Sequence, residues 1–226
     1  MPVPVRACAM FPEIEFWDDL ESRSPADHMA VDEAMLALAK RPLLRAYRWA
    51  QPAVSFGYAQ RLRDVSARAP GLPAVRRWTG GGMVFHGRDL TLGLAIPTGF
   101  GAERKTSAEL YDQIHRAIRS AMESITPEIR LAGSADIRPG PQCFTSPAAG
   151  DLLAGAEKLC GGALRRTRSG VIYQGSIQWA RLPDPAIIAN AMGDHVMECG
   201  TTRAIAETAS ELSWKKYSTR AWNELR

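Results

Sequence analysis

Residues 75–87, VRRWTGGGMVFHG, constrain the fold more than any other stretch of this chain. Glycine surrenders the most backbone freedom on folding, so three in succession are out of place inside a helix or strand and imply a turn whose backbone something approaches closely. Residues 74–77 read as a strand leading into that turn. Beyond it, LTLGLAIP (Leu90–Pro97) is too short and too uniformly apolar for an amphipathic helix, and reads as a buried strand. A turn of this kind presents successive backbone N–H groups, a nest suited to an anion or a carbonyl oxygen, and Arg76 and Arg77 add charge. No Gly-Lys-Ser/Thr follows at Walker spacing, and no GxGxxG dinucleotide pattern is present.

The next segment, TSAELYDQIHRAIRSAMESI, has Thr106 and Glu109 in capping-box spacing, with Leu110, Ile114, Ala117, Ile118, Met122 and Ile125 at helical intervals. It predicts a helix ending at Thr126-Pro127, with His115 on its polar face. Upstream, residues 13–20 read as a strand. Residues 24–40 read as a helix opened by Ser24 with Pro25 at its first position, burying Met29, Met35, Leu36 and Leu38 and leaving Asp32 and Glu33 in solvent. Two strands follow around Gln51-Pro52. After a strand near residues 129–131 comes a Gly/Pro/Ser-rich loop, then three apolar segments that suggest an antiparallel meander, and a tail of short helices from Pro183. Helices mixed with antiparallel strand pairs, without strict βαβ alternation, give an α+β class, or α/β with a mixed sheet, in a single domain spanning residues 1–226.

With 46% hydrophobic and 23% charged residues and no apolar run of membrane-spanning length, the chain reads as a soluble cytoplasmic protein. Four scattered cysteines form neither a disulfide framework nor a zinc site. The net charge of +4 is dispersed, which suits a basic surface meeting an acidic partner better than a nucleic-acid groove. Cys143 lies in the Gly/Pro-rich loop, where a thiol is reachable and a nearby ammonium would favour the thiolate, so it is the candidate nucleophile. Cys160, between Leu159 and Gly161, reads as a small core residue. Lys158 stands between an exposed turn and an apolar strand, and by itself can point to solvent or into a cleft. His86 follows the glycine turn and suits a structural hydrogen bond as well as catalysis.

In order along the chain, HMAVDEAML, VRRWTGGGMVFHGRDLT, EKLCGGALRR and GVIYQGSI resemble the first helix, the arginine-glycine signature, the lysine segment and the following strand of the lipoate–protein ligase and octanoyltransferase superfamily. That superfamily shares its catalytic-domain fold with biotin–protein ligase. The resemblance implies a biotin/lipoate protein ligase catalytic-domain-like fold and a tunnel for an octanoyl or lipoyl group. The acyl carbonyl would lie near Lys158, with Arg76, Gly80, Gly81, Gly82 and His86 in the wall and Gly161 and Gly162 beside the lysine. Catalysis would rest on Cys143 and Lys158, without a metal, and the acceptor would be a lysine of a lipoyl domain or of glycine-cleavage H protein. The pair Cys143-Phe144 ahead of Lys158 and the Asp89-Leu90-Thr91 stretch resemble the cysteine-dependent octanoyltransferase branch, which takes its acyl group from octanoyl-acyl carrier protein and needs no cofactor. The alternative branch is an ATP-dependent ligase that would use ATP, magnesium and free lipoate. The resemblance gives no reason to expect a separate accessory domain, nucleic acid or a membrane partner.

Overall fold

The computed structural model describes residues 9–137 and 146–225. The chain runs β1 (Phe11–Asp19), α1 (Pro25–Leu38), β2 (Leu43–Tyr47), β3 (Ala53–Phe56), α2 (Leu62–Arg68), β4 (Ala74–Arg76), β5 (Val84–His86) and β6 (Leu90–Pro97). It continues through α3 (Ser107–Met122), β7 (Ile129–Leu131), β8 (Leu152–Ala154), β9 (Glu157–Thr167) and β10 (Gly170–Ile177) to α4 (Pro185–Met192), β11 (Gly193–Glu198), α5 (Thr202–Leu212) and α6 (Arg220–Asn223). One mixed sheet has the order β11-β1-β2-β6-β10-β9-β8-β7, and β4-β3-β5 form a second, small sheet.

Both expected helix starts are built as their caps dictate. Ser24 and Thr106 each accept from the backbone N–H three residues on, and Asp27 and Glu109 reach back to complete the boxes. α3 and α4 cover one face of the main sheet through Leu110, Ile114, Ile118, Ile188 and Met192. α1 and α5 lie in the core of the other side with Met29, Val31, Met35, Ile205 and Ala209. The small sheet packs with α2 in a third cluster around Val54, Phe56, Val65 and Met83. β8, β9 and β10 pair antiparallel in succession, which is the expected meander, and β7 extends it by pairing with β8.

Several sequence expectations are corrected. The tail contains a strand as well as helices: β11 pairs parallel with β1 at the edge of the main sheet. Between β3 and β4, where no element was expected, the chain forms α2. Asp32 is 1% exposed, because it lies three residues from both Met29 and Met35 and so shares their buried stripe. His115 is fully buried, next to Ile114 and three residues before Ile118; its Nε2 lies 2.9 Å from the Tyr173 hydroxyl. Burial pulls the His115 pKa down to about 4, so its ring is neutral.

Candidate active site

The two sheets enclose a cavity. Its floor is the main-sheet surface at Gly161, Gly162, Gln174, Ser176 and Thr91, and its roof carries Ser55, Val84, His86, Arg77 and Gly81, with Met29, Tyr47 and Trp49 closing it. Strand register explains the floor: Gly161 pairs with Ser176, Ser176 with Thr91, and Thr91 with Tyr47, a row crossing β9, β10, β6 and β2. Gly81, Gly162 and Ala163 also border an outer groove lined by Gly80, Tyr111 and Ala149, so cavity and groove meet at the glycine turn.

Lys158 enters the cavity from β9. Its Nζ lies 2.8 Å from Asp151 Oδ2, with the two side chains 6% and 1% exposed. Asp151 also accepts from the Tyr111 hydroxyl at 2.5 Å and from Ala148 N at 2.6 Å, while Gly162 N donates to the Tyr111 oxygen at 2.9 Å. The ammonium lies over Gly161, where a Cβ would meet Lys158 Cε at 2.4 Å and Nζ at 2.6 Å. Because the obstructed atoms are the end of a flexible side chain, Gly161→Ala is expected to shift the melting temperature by less than about 4 °C, within the effect of ~1 kcal/mol in a domain of this size. The same change displaces the ammonium and should lower any reaction that depends on its charge by ~10-fold or more, since misplacing a charge-stabilising group costs rate steeply. Thermal melts and an activity assay on one preparation check both halves.

The glycine turn is held from two directions. Thr79 Oγ1 donates to Gln174 Oε1 at 2.8 Å, and Gln174 Nε2 donates to Asp32 at 2.7 Å. Arg77 donates to the carbonyls of Gly80 and Gly82. The backbone that approaches the turn is in part Gly57, where a Cβ would lie 1.9 Å from the Gly81 carbonyl oxygen; Gly81 itself has φ of +81°. At Gly80, by contrast, an added Cβ would meet nothing within 4 Å. His86 lines the cavity and stacks on Trp49 with ring centroids 4.0 Å apart. Burial lowers its pKa even against the favourable Asp89 contact, so the ring is neutral. Burial would raise the Asp89 pKa, but its bonds to His86, Ser176 and Gly87 N outweigh that and hold it below the usual range.

Of the residues expected in the wall, Gly81, His86, Lys158, Gly161 and Gly162 border the cavity. Gly80 borders the outer groove, and Gly82 supplies a carbonyl to Arg77. Arg76 is not in the cavity wall, which corrects the expectation for it. It is fully buried and donates to the carbonyls of Tyr58, Gln60, Trp222 and Asn223, clamping α6 onto β4. Strand alternation sends the neighbouring Arg77 inward instead. Cys143 lies outside the described residues. Cys160 is fully buried, and burial pushes its thiol up to about 12 with help from the nearby Asp151 charge, as befits an inert core residue. Ser55, Tyr111 and Asp151 were not singled out in sequence, and Asp89 entered only through the Asp89-Leu90-Thr91 resemblance, with no role assigned to its side chain. Among the described residues no group of three or more His, Cys, Asp or Glu could hold a metal ion, and no helix is long and apolar enough to cross a membrane.

Comparison with known proteins places this geometry. Residues 24–181 match the family model for the lipoyl protein ligase A/B catalytic domain. The octanoyltransferase LipM of Symbiobacterium thermophilum is 36% identical over 180 residues, covering 70% of this chain and 63% of that protein. LipM of Staphylococcus epidermidis is 29% identical over 181 residues, covering 72% and 66%. The chain therefore spans just under two thirds of the length of these relatives. In fold, it superimposes on lipoate-protein ligase A solved with ATP at a TM-score of 0.73 and 20% identity, covering 94% of this chain and 98% of that one. A T. acidophilum protein solved with bound lipoic acid gives 0.74 and 20%, covering 95% and 100%.

Proposed function

Because the chain belongs to the lipoyl protein ligase A/B catalytic-domain family, we propose that it transfers an octanoyl group from a carrier-protein thioester to a lysine of a lipoyl domain or glycine-cleavage H protein, by way of a thioester on Cys143. The observation that carries this reading is the 29–36% identity to octanoyltransferases across about 70% of the chain. The site suits it: the cavity between the sheets is largely apolar, and Lys158 reaches into it to the space where an acyl carbonyl would lie.

In the first half-reaction the Cys143 thiolate attacks the donor carbonyl. The C–S bond to the carrier breaks, and the carrier thiolate leaves and takes up a proton. In the second, the neutral amine of the acceptor lysine attacks the Cys143 thioester, loses a proton to solvent, and expels the Cys143 thiolate as the amide forms. Each step passes through a tetrahedral oxyanion, which the Lys158 ammonium stabilises. No nucleotide or metal ion is consumed or required.

Intact-protein mass spectrometry after mixing the chain with octanoyl-carrier protein, without ATP, tests the reading. A hydroxylamine-labile octanoyl adduct is expected on the native sequence and not on Cys143→Ala. If no adduct forms and a lipoyl domain is modified only when free lipoate and ATP are supplied, the ATP-dependent ligase reading replaces this one.

A further inference from the structure

Arg77 joins the glycine turn to the main sheet through a chain of buried hydrogen bonds. Its guanidinium donates to the carbonyls of Gly80 at 3.0 Å and Gly82 at 2.7 Å, and to Ser55 Oγ at 2.8 Å. Ser55 Oγ lies 2.6 Å from His86 Nε2, and His86 Nδ1 lies 2.8 Å from Asp89 Oδ2. The same carboxylate oxygen accepts from Thr91 of β6 and Ser176 of β10. Arg77, Ser55, His86 and Asp89 are all 8% exposed or less.

The chemistry of the donors fixes the direction of every bond. An ionised Asp89 only accepts, so the proton of the neutral imidazole sits on Nδ1 and Nε2 accepts. Ser55 must then donate its hydroxyl proton to His86, leaving its lone pairs for Arg77 Nη1, while Arg77 Nη2 holds the two glycine carbonyls. No cis peptide bond occurs among the described residues, and in a trans peptide the N–H points opposite to the C=O. With the Gly80 carbonyl turned to Arg77, the Gly81 N–H is turned away from it, at the place where cavity and groove meet.

We propose that Ser55, His86, Asp89 and Arg77 are positioning residues that lock the glycine turn so that the Gly81 amide donates to the oxygen of the reacting acyl carbonyl. This rests on the acyl-transfer reading above. A serine, a histidine and a carboxylate in this order are also the parts of an activated nucleophile. Here the serine oxygen is committed to Arg77 in a residue that is 1% exposed, and the assignment is to holding rather than attack.

The test combines amide hydrogen exchange of residues 78–84 with steady-state octanoyl transfer in Ser55→Ala, Asp89→Asn and Ser55→Thr. In Asp89→Asn the introduced carboxamide would donate to His86 Nδ1, shift the ring proton to Nε2 and reverse the Ser55 bond without changing its shape. Both disruptive variants should speed exchange in the turn by ~10-fold or more, as loss of a local restraint does. They should also lower kcat by ~10- to 100-fold with KM within about threefold, the signature of a donor used in the transition state. Ser55→Thr, which keeps the hydroxyl, should return both toward the native values. Unchanged exchange in Ser55→Ala and Asp89→Asn overturns the proposal, as does a rise in KM at constant kcat. Fluorophosphonate labelling of Ser55 in Cys143→Ala, with thioester hydrolysis retained, would assign the serine to attack instead. If the native chain transfers no acyl group, the function reading fails while the exchange measurement still decides whether the latch holds the turn.

Discussion

Lys158→Met is expected to lower the proposed octanoyl transfer by ~10²- to 10³-fold, the cost of removing one preorganised charge from a developing oxyanion. The lysine is held for that task from below and behind. Asp151 anchors its ammonium at 2.8 Å, Tyr111 and the Ala148 amide anchor Asp151, and the missing Cβ at Gly161 leaves the space in which the ammonium lies. In the variant Asp151 keeps its bonds to Tyr111 and Ala148 N, so the loss is expected at the low end of that for a broken buried pair, about 3 kcal/mol, and the chain stays folded. Lys158→Arg should recover little of the rate. A planar guanidinium cannot occupy the compact site over Gly161, and its fork would pair with Asp151 in a different place. Transfer assays beside thermal melts separate the two effects. Transfer by Lys158→Met within about threefold of native would remove the lysine from the oxyanion role assigned to it.

The parts of this site that were legible in sequence are those whose local chemistry is unambiguous. Three glycines after a strand have few uses, and Lys158 followed by Leu159, Cys160, Gly161 and Gly162 places a charge beside an apolar strand that lacks side chains. The same holds for the fold: capping boxes at Ser24 and Thr106 and the apolar run of β6 each specify their element from nearest neighbours. What was not legible depends on contacts far apart in the chain. Ser55 is 31 positions from His86, and Ser176 is 87 from Asp89. Asp32 has the composition of a solvated helix face, and the arrival of Arg45 and Tyr47 from β2 and Gln174 from β10 makes its burial possible. β11 reads poorly because half of it is polar, yet an edge strand needs only one apolar side and one neighbour with which to pair. Arg76 was expected in the wall where Arg77 stands for a similar reason: adjacent strand residues face opposite ways, and nothing local says which side holds the cavity.

That burial of Asp32 makes Arg45 the most sensitive position for stability. Arg45 has no exposed surface; its guanidinium bonds Asp19 at 2.7 and 2.8 Å and Asp32 at 2.7 Å, and also reaches the His28 carbonyl and ring. Arg45→Met removes the cation and leaves a buried carboxylate, at an expected cost of about 3–5 kcal/mol. For a domain whose whole stability is about 5–15 kcal/mol this is a large share. Asp19 keeps Arg23 as a partner, so the loss concentrates on Asp32. Burial already raises the Asp32 pKa, and Arg45 is the largest influence opposing it, ahead of Gln174 and Tyr47. Without Arg45 the carboxyl rises further. A carboxyl whose folded pKa is raised binds a proton that the unfolded chain has released, so its penalty grows as pH rises above the unfolded value. The variant should therefore lose more stability at pH ~7.5 than at pH ~5, and Arg45→Met with Asp32→Asn should recover part of the loss, since the double variant buries no unpaired charge. Urea unfolding of the native chain and both variants at the two pH values reads this directly. An equal loss at both, with no recovery in the double variant, would mean that Arg45 stabilises by packing against Tyr47 and Trp17 and that its charge contributes nothing.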